Sequence, residues 1–189
     1  MEEIEVKFLD ISVLEVKEKL EKFGAKKVGE YLYKRKAYDY ADKKLGKDNA
    51  WVRLRDEGDK VTFTYKQRFG VKDNHLQDGG VNEIEVIVSD FVLTDNLLKA
   101  IGLVEKFYEE NTRERYMLEN VEIDIDTWPM IPSYLEIEGH SWEEVKNIAN
   151  RLGFDWEQHL KCSTMQVYEN YGINENEYSL ITFNEQVKK

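Results

Sequence analysis

Glu3-Ile4-Glu5-Val6-Lys7 is the stretch whose reading decides the fold. Charged residues and β-branched apolar residues alternate along it. Successive side chains of a strand point to opposite faces, so Glu3, Glu5 and Lys7 line one face and Ile4 and Val6 the other. The same two-residue period returns in Arg53-Leu54-Arg55, Glu83-Ile84-Glu85, Arg113-Glu114-Arg115, Asp124-Ile125-Asp126 and Glu136-Ile137-Glu138. A chain with this many charged pairs on strand faces either turns them all to bulk water or gathers them around something charged.

Composition narrows the choice. The chain has 189 residues, enough for one ordinary domain with its own core. Its 41% hydrophobic and 12% aromatic content argues against disorder. A net charge of −11 argues against a broad basic surface for nucleic acid. It still permits a phosphate ligand, because local charge and bound cations decide that. The single cysteine, Cys162, excludes an internal disulfide and a cysteine-based zinc site, and reads as a small packed residue. The start is acidic rather than basic, which argues against a secretory leader. No run of about 18 apolar residues offers a membrane span. The expectation is a cytoplasmic protein with no membrane partner.

No Pro/Gly/Ser-rich linker divides the sequence. It reads as one domain over 1–172 with a polar tail over 173–189 that frays. Ser12 caps a helix over 13–23, ended by Gly24. A second helix fits 90–101, before Gly102. A third fits 142–152, capped by Ser141 and ended by Gly153. One or two short helices cover 156–171. Strands are expected at 2–9, 28–40, 50–56, 60–68, 81–88, 104–118, 121–127 and 133–139. Hairpin-length links join many of these eight, so the sheet is mainly antiparallel.

Solvated charges are the ordinary reading of any one E-x-E or R-x-R pair. Jointly, the pairs suit a second arrangement. In a closed barrel, Ile4, Val6, Leu54, Ile84, Ile125 and Ile137 point outward beneath the helices, and the charges point into a wet lumen. About eight strands enclose one small ligand. Carboxylate oxygens suit Mg²⁺ or Mn²⁺. Arginines grip phosphate oxygens in bidentate fashion, and lysines act as point charges. A lumen holding both signs suits a metal–triphosphate complex and metal-assisted attack at phosphorus.

At this point the sequence resembles a known family. Glu3-Ile4-Glu5-Val6-Lys7 is similar to the E-x-E-x-K signature of the CYTH superfamily, the triphosphate tunnel metalloenzymes. Further similar segments follow in the family's order: Trp51 to Arg55, Thr62 to Lys66, Asn82 to Glu85, Arg113 to Tyr116, Asp124 to Asp126 and Tyr134 to Gly139. The resemblance implies an α+β fold built on an eight-stranded antiparallel β-tunnel, a closed barrel with covering helices. It implies an enzyme that acts on a small-molecule triphosphate with Mg²⁺ or Mn²⁺. Members include inorganic, thiamine and RNA triphosphatases and class IV adenylyl cyclases. Glu3, Glu5, Asp124, Asp126, Glu136 and Glu138 would then bind metal. Lys7, Arg53, Arg55, Lys66, Arg113 and Arg115 would hold phosphates. Glu3, Glu5 and Lys7 would act at the reacting phosphate. Glu83 and Glu85 would serve the substrate site, either through a second metal or by balancing the arginines.

Two readings of the activity follow from the resemblance: hydrolysis at the terminal phosphoryl group, or cyclisation of ATP to cyclic AMP and pyrophosphate. A third, of another class, is a non-catalytic module that captures polyphosphate or a nucleotide. Two departures stand out. Asn111 replaces a lysine common two residues before the arginine of the Arg113 strand. The second strand carries Lys34-Arg35-Lys36 where acids are common. Those cations either serve a longer polyphosphate tail or are solvated. Trp128 to Pro132 is rigid and aromatic, and either closes a tunnel mouth or packs as a loop. His75, His140 and His159 share no ligand spacing and read as surface or capping residues. Gly79-Gly80 reads as a turn. An exposed barrel edge or the helical C-terminus could pair two chains as a homodimer.

Overall fold

The computed structural model describes residues 4–69 and 81–189. Glu3, His75 and Gly79-Gly80 lie outside the described residues. The elements run β1 (Ile4–Phe8), α1 (Val13–Lys22), β2 (Lys26–Tyr40), α2 (Lys44–Lys47), β3 (Ala50–Asp56), β4 (Val61–Arg68), β5 (Val81–Val88), α3 (Phe91–Ala100), β6 (Leu103–Leu118), β7 (Val121–Thr127), β8 (Tyr134–Gly139), α4 (Trp142–Arg151), α5 (Thr164–Asn170), β9 (Tyr178–Ile181) and β10 (Gln186–Lys188). The chain forms two compact units, residues 1–31 with 111–175, and residues 32–110 with 176–189. The long strands β2 and β6 contribute a segment to each.

In the first unit β1, β8, β7 and β6 pair antiparallel. The register sorts the side chains into alternating rows. Val6, Ile137 and Ile123 form one apolar row, and Phe8, Leu135 and Ile125 the next. Both rows pack under Val16 and Leu20 of α1 and Val145, Ile148 and Ala149 of α4. The helices start where expected: the hydroxyls of Ser12 and Ser141 accept the backbone N–H of Glu15 and Glu144. Gly24 and Gly153 follow α1 and α4 with φ of 77° and 81°, left-handed conformations that glycine adopts without strain. The Trp128 to Pro132 segment packs as a loop. Trp128 is buried, and the Tyr168 hydroxyl of α5 donates to the Pro129 carbonyl at 2.9 Å.

In the second unit β2, β3, β4 and β5 pair antiparallel. Tyr38, Val52, Leu54, Leu98 and Leu103 form its core, with Phe63, Val88 and Phe91 against it. Residues 178–188, expected to fray, form strands instead. β9 pairs in parallel with β6 at Tyr108 and Glu109, and β10 pairs with β9. Asp95 of α3 is buried and accepts hydrogen bonds from Tyr38 (2.8 Å), Lys36 (2.7 Å) and Lys99 (3.0 Å). Burial works to raise its pKa, but the bonds from Lys36, Lys99 and Tyr38 outweigh it and hold the carboxyl below its ordinary value. A depressed carboxyl stabilises the fold above its unfolded pKa of about 3.9 and loses that contribution as pH falls through the folded value. Asp95→Asn is therefore expected to cost roughly 1–3 kcal/mol at pH 7. The deficit should narrow as pH drops below about 4. Urea unfolding at pH 7, 5 and 3 checks this, and a deficit constant across all three pH values would refute it.

The expected closed eight-stranded barrel needs correction. The hydrogen-bonded order is β1-β8-β7-β6-β2-β3-β4-β5, with β9 and β10 bringing the sheet to ten strands. Among the described residues no ladder joins β1 to β5, so the sheet is mainly antiparallel and is not closed by hydrogen bonds. The free edge of β1 has another partner. The backbones of Lys7 and Leu160 exchange two hydrogen bonds of 2.9 Å. No described helix is long and apolar enough to cross a membrane.

Candidate active site

The face of the first unit opposite its core carries three charged rows. The first sets Glu5 against Glu138 and Glu138 against Glu122. The second runs Lys7, Glu136, Asp124, Arg115. The third sets Asp126 against Arg113. Oxygens of Glu5, Glu136 and Glu138 lie within 4.8 Å of one another. Three carboxylates offer only hard oxygen donors, so this group fits Mg²⁺ or Mn²⁺.

Lys7 sits among these acids, 5% exposed. Its ammonium pairs with Glu136 at 3.0 Å and with Glu5. Burial lowers its pKa, but Glu136 and Glu5 overcome that, and the amine stays charged well above its ordinary range. Burial likewise raises Glu136, but Lys7 and Arg113 outweigh it and hold the carboxyl at about 2. Glu5 moves up, because burial and the neighbouring Glu136 charge exceed the pull of Lys7.

Arg113 is the other hub. Its Nε and Nη2 grip Asp126 at 2.8 and 2.6 Å, and Nη2 also reaches Glu136 at 2.9 Å. Nη1 lies 2.6 Å from Asp124. Arg115 grips Asp124 with Nε at 3.0 Å and Nη2 at 2.9 Å, and pairs with Glu122 at 2.7 Å. Asp124 and Asp126, expected as metal ligands, thus have their carboxylates engaged by arginines. Asn111 is fully buried and donates to Asp126 at 3.3 Å. Glu122, passed over in the sequence, shares this face. Burial and Asp124 raise its pKa to about 7.

The second unit carries a cationic face. Strand register puts Arg35 opposite Arg55, and Arg53 opposite Thr64. Lys66 stands opposite Glu83 and pairs with it at 2.7 Å. Arg55 pairs with Glu57 through Nε at 2.9 Å and Nη2 at 2.7 Å. Arg53 is the least satisfied. Its nearest acid among the described residues, Glu85, is 3.8 Å from Nη2 and already accepts a hydrogen bond from Thr64 at 2.7 Å. Among the described residues the buried Arg53 Nε has no hydrogen-bond partner. Burial, with Arg55 and Arg35 beside it, pushes its pKa down to about 9. A guanidinium stays protonated at neutral pH, so Arg53 is a charged group whose burial and cationic neighbours outweigh the pull of Glu83 and Glu85. Glu83 and Glu85 stand against cations of this face.

The solvated reading of Lys34-Arg35-Lys36 fails for two of its members. Lys36 turns to the helical side and pairs with Asp95 and with Glu105 at 3.1 Å. Arg35 turns the other way, towards Glu109. His159 stacks on Trp156 and its Nδ1 lies 2.6 Å from the Trp156 carbonyl oxygen.

The profile of the CYTH domain matches residues 1–168. The chain belongs to the CYTH family. Solved structures resemble this CYTH chain at low identity. The PH1012 protein of Pyrococcus horikoshii superposes with a TM-score of 0.64 at 22% identity, covering 86% of this chain and 96% of that one. A candidate adenylate cyclase from Vibrio parahaemolyticus gives 0.71 at 11% identity, covering 88% and 97%. HpAC1 of Hippeastrum, a candidate adenylyl cyclase described as having a dominant triphosphatase activity, gives 0.61 at 17% identity, covering 93% and 99%. No curated protein matches the sequence significantly.

Proposed function

We propose that this CYTH chain is a divalent-metal-dependent phosphohydrolase acting on a triphosphate. One observation carries the reading: the first unit sets the Glu5, Glu136 and Glu138 oxygens within 4.8 Å of one another, beside the buried Lys7 and the partly buried Arg113. Acids alone on a strand face repel. Acids held together by the two cations Lys7 and Arg113 keep a demand for a further positive charge and present positive charge of their own to an anion.

Glu5, Glu136 and Glu138 would hold the metal. When bound, the metal polarises phosphoryl oxygens and lowers the pKa of an attacking water. Glu136, held ionised down to about pH 2, keeps its ligand oxygen charged at any working pH. Lys7 and Arg113 stabilise charge that develops on the transferring phosphoryl group. Arg113 cannot swing freely, because Asp124, Asp126 and Glu136 fix its fork. Taken by itself, the second unit presents Arg53, Arg55 and Lys66 as cations suited to phosphate oxygens, and among the described residues Arg53 has no acid within hydrogen-bond distance. Water attacks the terminal phosphorus, the bridging P–O bond breaks, and its electron pair leaves on the diphosphate.

The description of HpAC1 keeps ATP cyclisation as the second reading. One assay separates them. With Mg²⁺ or Mn²⁺, tripolyphosphate and ATP are each expected to yield orthophosphate. Cyclic AMP and pyrophosphate from ATP would establish the cyclase instead. No product from either substrate would leave the binding-module reading standing and overturn ours.

A further inference from the structure

Helix α3 of the second unit is apolar on both sides. Its inner side packs Leu98 and Phe91 against the core and carries the buried Asp95. Its outer side carries Leu93, Leu97 and, at the C-cap, Ile101, which are 68%, 59% and 64% exposed. These residues are four apart, so they stack into one stripe, with Val92 open beside it. A helix that is hydrophobic all round belongs in an interior.

The sheet next to α3 is bare in the same way. On β5, Ile84 and Val86 share a face with Val88, which packs with Phe91 against the core. Val88 is partly buried, whereas Ile84 and Val86 are half or more exposed. The first unit sets two ten-residue helices, α1 and α4, over its sheet. Among the described residues of the second unit, α3 is the one helix of that length, and α2 has four residues. The second unit thus lacks half of the helical cover that the first one has.

Charge, symmetry and area say what completes it. The chain carries a net charge of −11 and 34% charged residues. Between Phe91 and Val104, however, the charged residues are Asp95, which is buried, and Lys99, which pairs with Asp95 and Glu105 of its own chain. Covering the stripe therefore strands no unpaired charge, and a charged partner finds nothing there to recognise. The stripe also reads the same from either end, with Leu97 midway between Leu93 and Ile101. A two-fold pairing needs a surface that matches itself. Two α3 helices packed antiparallel put Leu97 at the axis and Leu93 against the partner's Ile101. The stripe, Val92, Ile84 and Val86 together expose on the order of 500 Å² of apolar surface per copy. Twice that matches the apolar share of a stable interface of about 1,600 Å² in total.

We propose that α3 and the adjoining face of β5 form a homodimer interface, in which a second copy of the chain supplies the missing helix. Sedimentation velocity on the 189-residue chain tests this. The wild type is expected to be a dimer at micromolar concentration. Leu97→Glu and Leu97→Lys are each expected to weaken dimerisation about 100-fold or more, because like charges meet at the axis. Leu97 is exposed in the single chain, so both variants keep the fold, which a thermal melt checks. An equimolar mixture of the two is expected to recover the dimer, since opposite charges then meet. Leu14→Glu, at a similarly exposed leucine of α1, is the control and leaves the dimer intact. Should a Leu97 variant not fold, Leu93→Glu mixed with Ile101→Lys makes the same comparison, because those two positions meet across the axis. A monomeric wild type would overturn the proposal. So would a dimer that survives Leu97→Glu, or a mixture that stays monomeric.

Discussion

Glu136→Gln is expected to cut turnover by about 100-fold or more while the chain stays folded. The carboxylate it removes has three tasks. It supplies an oxygen to the Glu5–Glu136–Glu138 group, pairs with Lys7 at 3.0 Å and accepts from Arg113 at 2.9 Å. Glutamine keeps the volume and one carbonyl oxygen, so packing survives, but the charge is gone. Losing one charged ligand weakens metal affinity, so the midpoint of Mg²⁺ activation should move up about tenfold. Glu136→Ala is a harsher change. It leaves Lys7 and Arg113 buried with a partner missing, and breaking buried pairs of this kind costs about 3–5 kcal/mol. The isosteric variant therefore reports chemistry, and the truncation reports stability as well. A folded Glu136→Gln chain with unchanged turnover and unchanged Mg²⁺ midpoint would remove Glu136 from the site.

Arg53→Ala should behave differently towards stability. Arg53 is a largely covered cation whose nearest acid among the described residues is 3.8 Å away, with Arg55 and Arg35 adding repulsion. Deleting it removes the repulsion with Arg55 and Arg35 but also a positive charge that acts on the buried Glu109, so thermal stability should change little. Substrate affinity should fall, because charge-assisted bonds to phosphate are lost. Each such bond is worth about 1.5–3 kcal/mol, which converts to a KM increase of roughly 10- to 100-fold. Steady-state kinetics with tripolyphosphate, beside a thermal melt, checks both at once. A variant that loses stability yet binds substrate normally would show Arg53 to be a structural residue.

Much of this architecture is legible in the residues themselves. The alternation in Ile4–Phe8, Val121–Thr127 and Tyr134–Gly139 marks both the strands and their charged faces, because strand geometry is local. Ser12, Ser141, Gly24 and Gly153 mark helix ends for the same reason. What the residues leave hidden is partner choice. Asp124 and Asp126 look like any other paired acids until register sets Arg115 and Arg113 opposite them. Glu122 continues the alternation of Asp124 and Asp126 by one step, and that period is its only signal in the sequence. Arg35 is lost within three consecutive cations, and only the pairing of β2 with β3 shows which of them turns inward. The tail illustrates the limit most plainly. Tyr178–Ile181 becomes a strand by lying beside Tyr108 and Glu109, some seventy positions earlier, and no local signal announces that.

The alternating rows of the first unit also bear on how the chain reaches its native state. Slipping β1 by one residue against β8 would exchange the rows of that strand. Glu5 and Lys7 would enter the packing under α1 and α4, while Val6 and Phe8 would face the charged lattice. A buried, unpaired charge costs several kcal/mol, so such a misaligned intermediate is far less stable than the correct one and reopens quickly. The charge pattern thus edits its own pairing errors during folding, before any ligand is present to benefit from it.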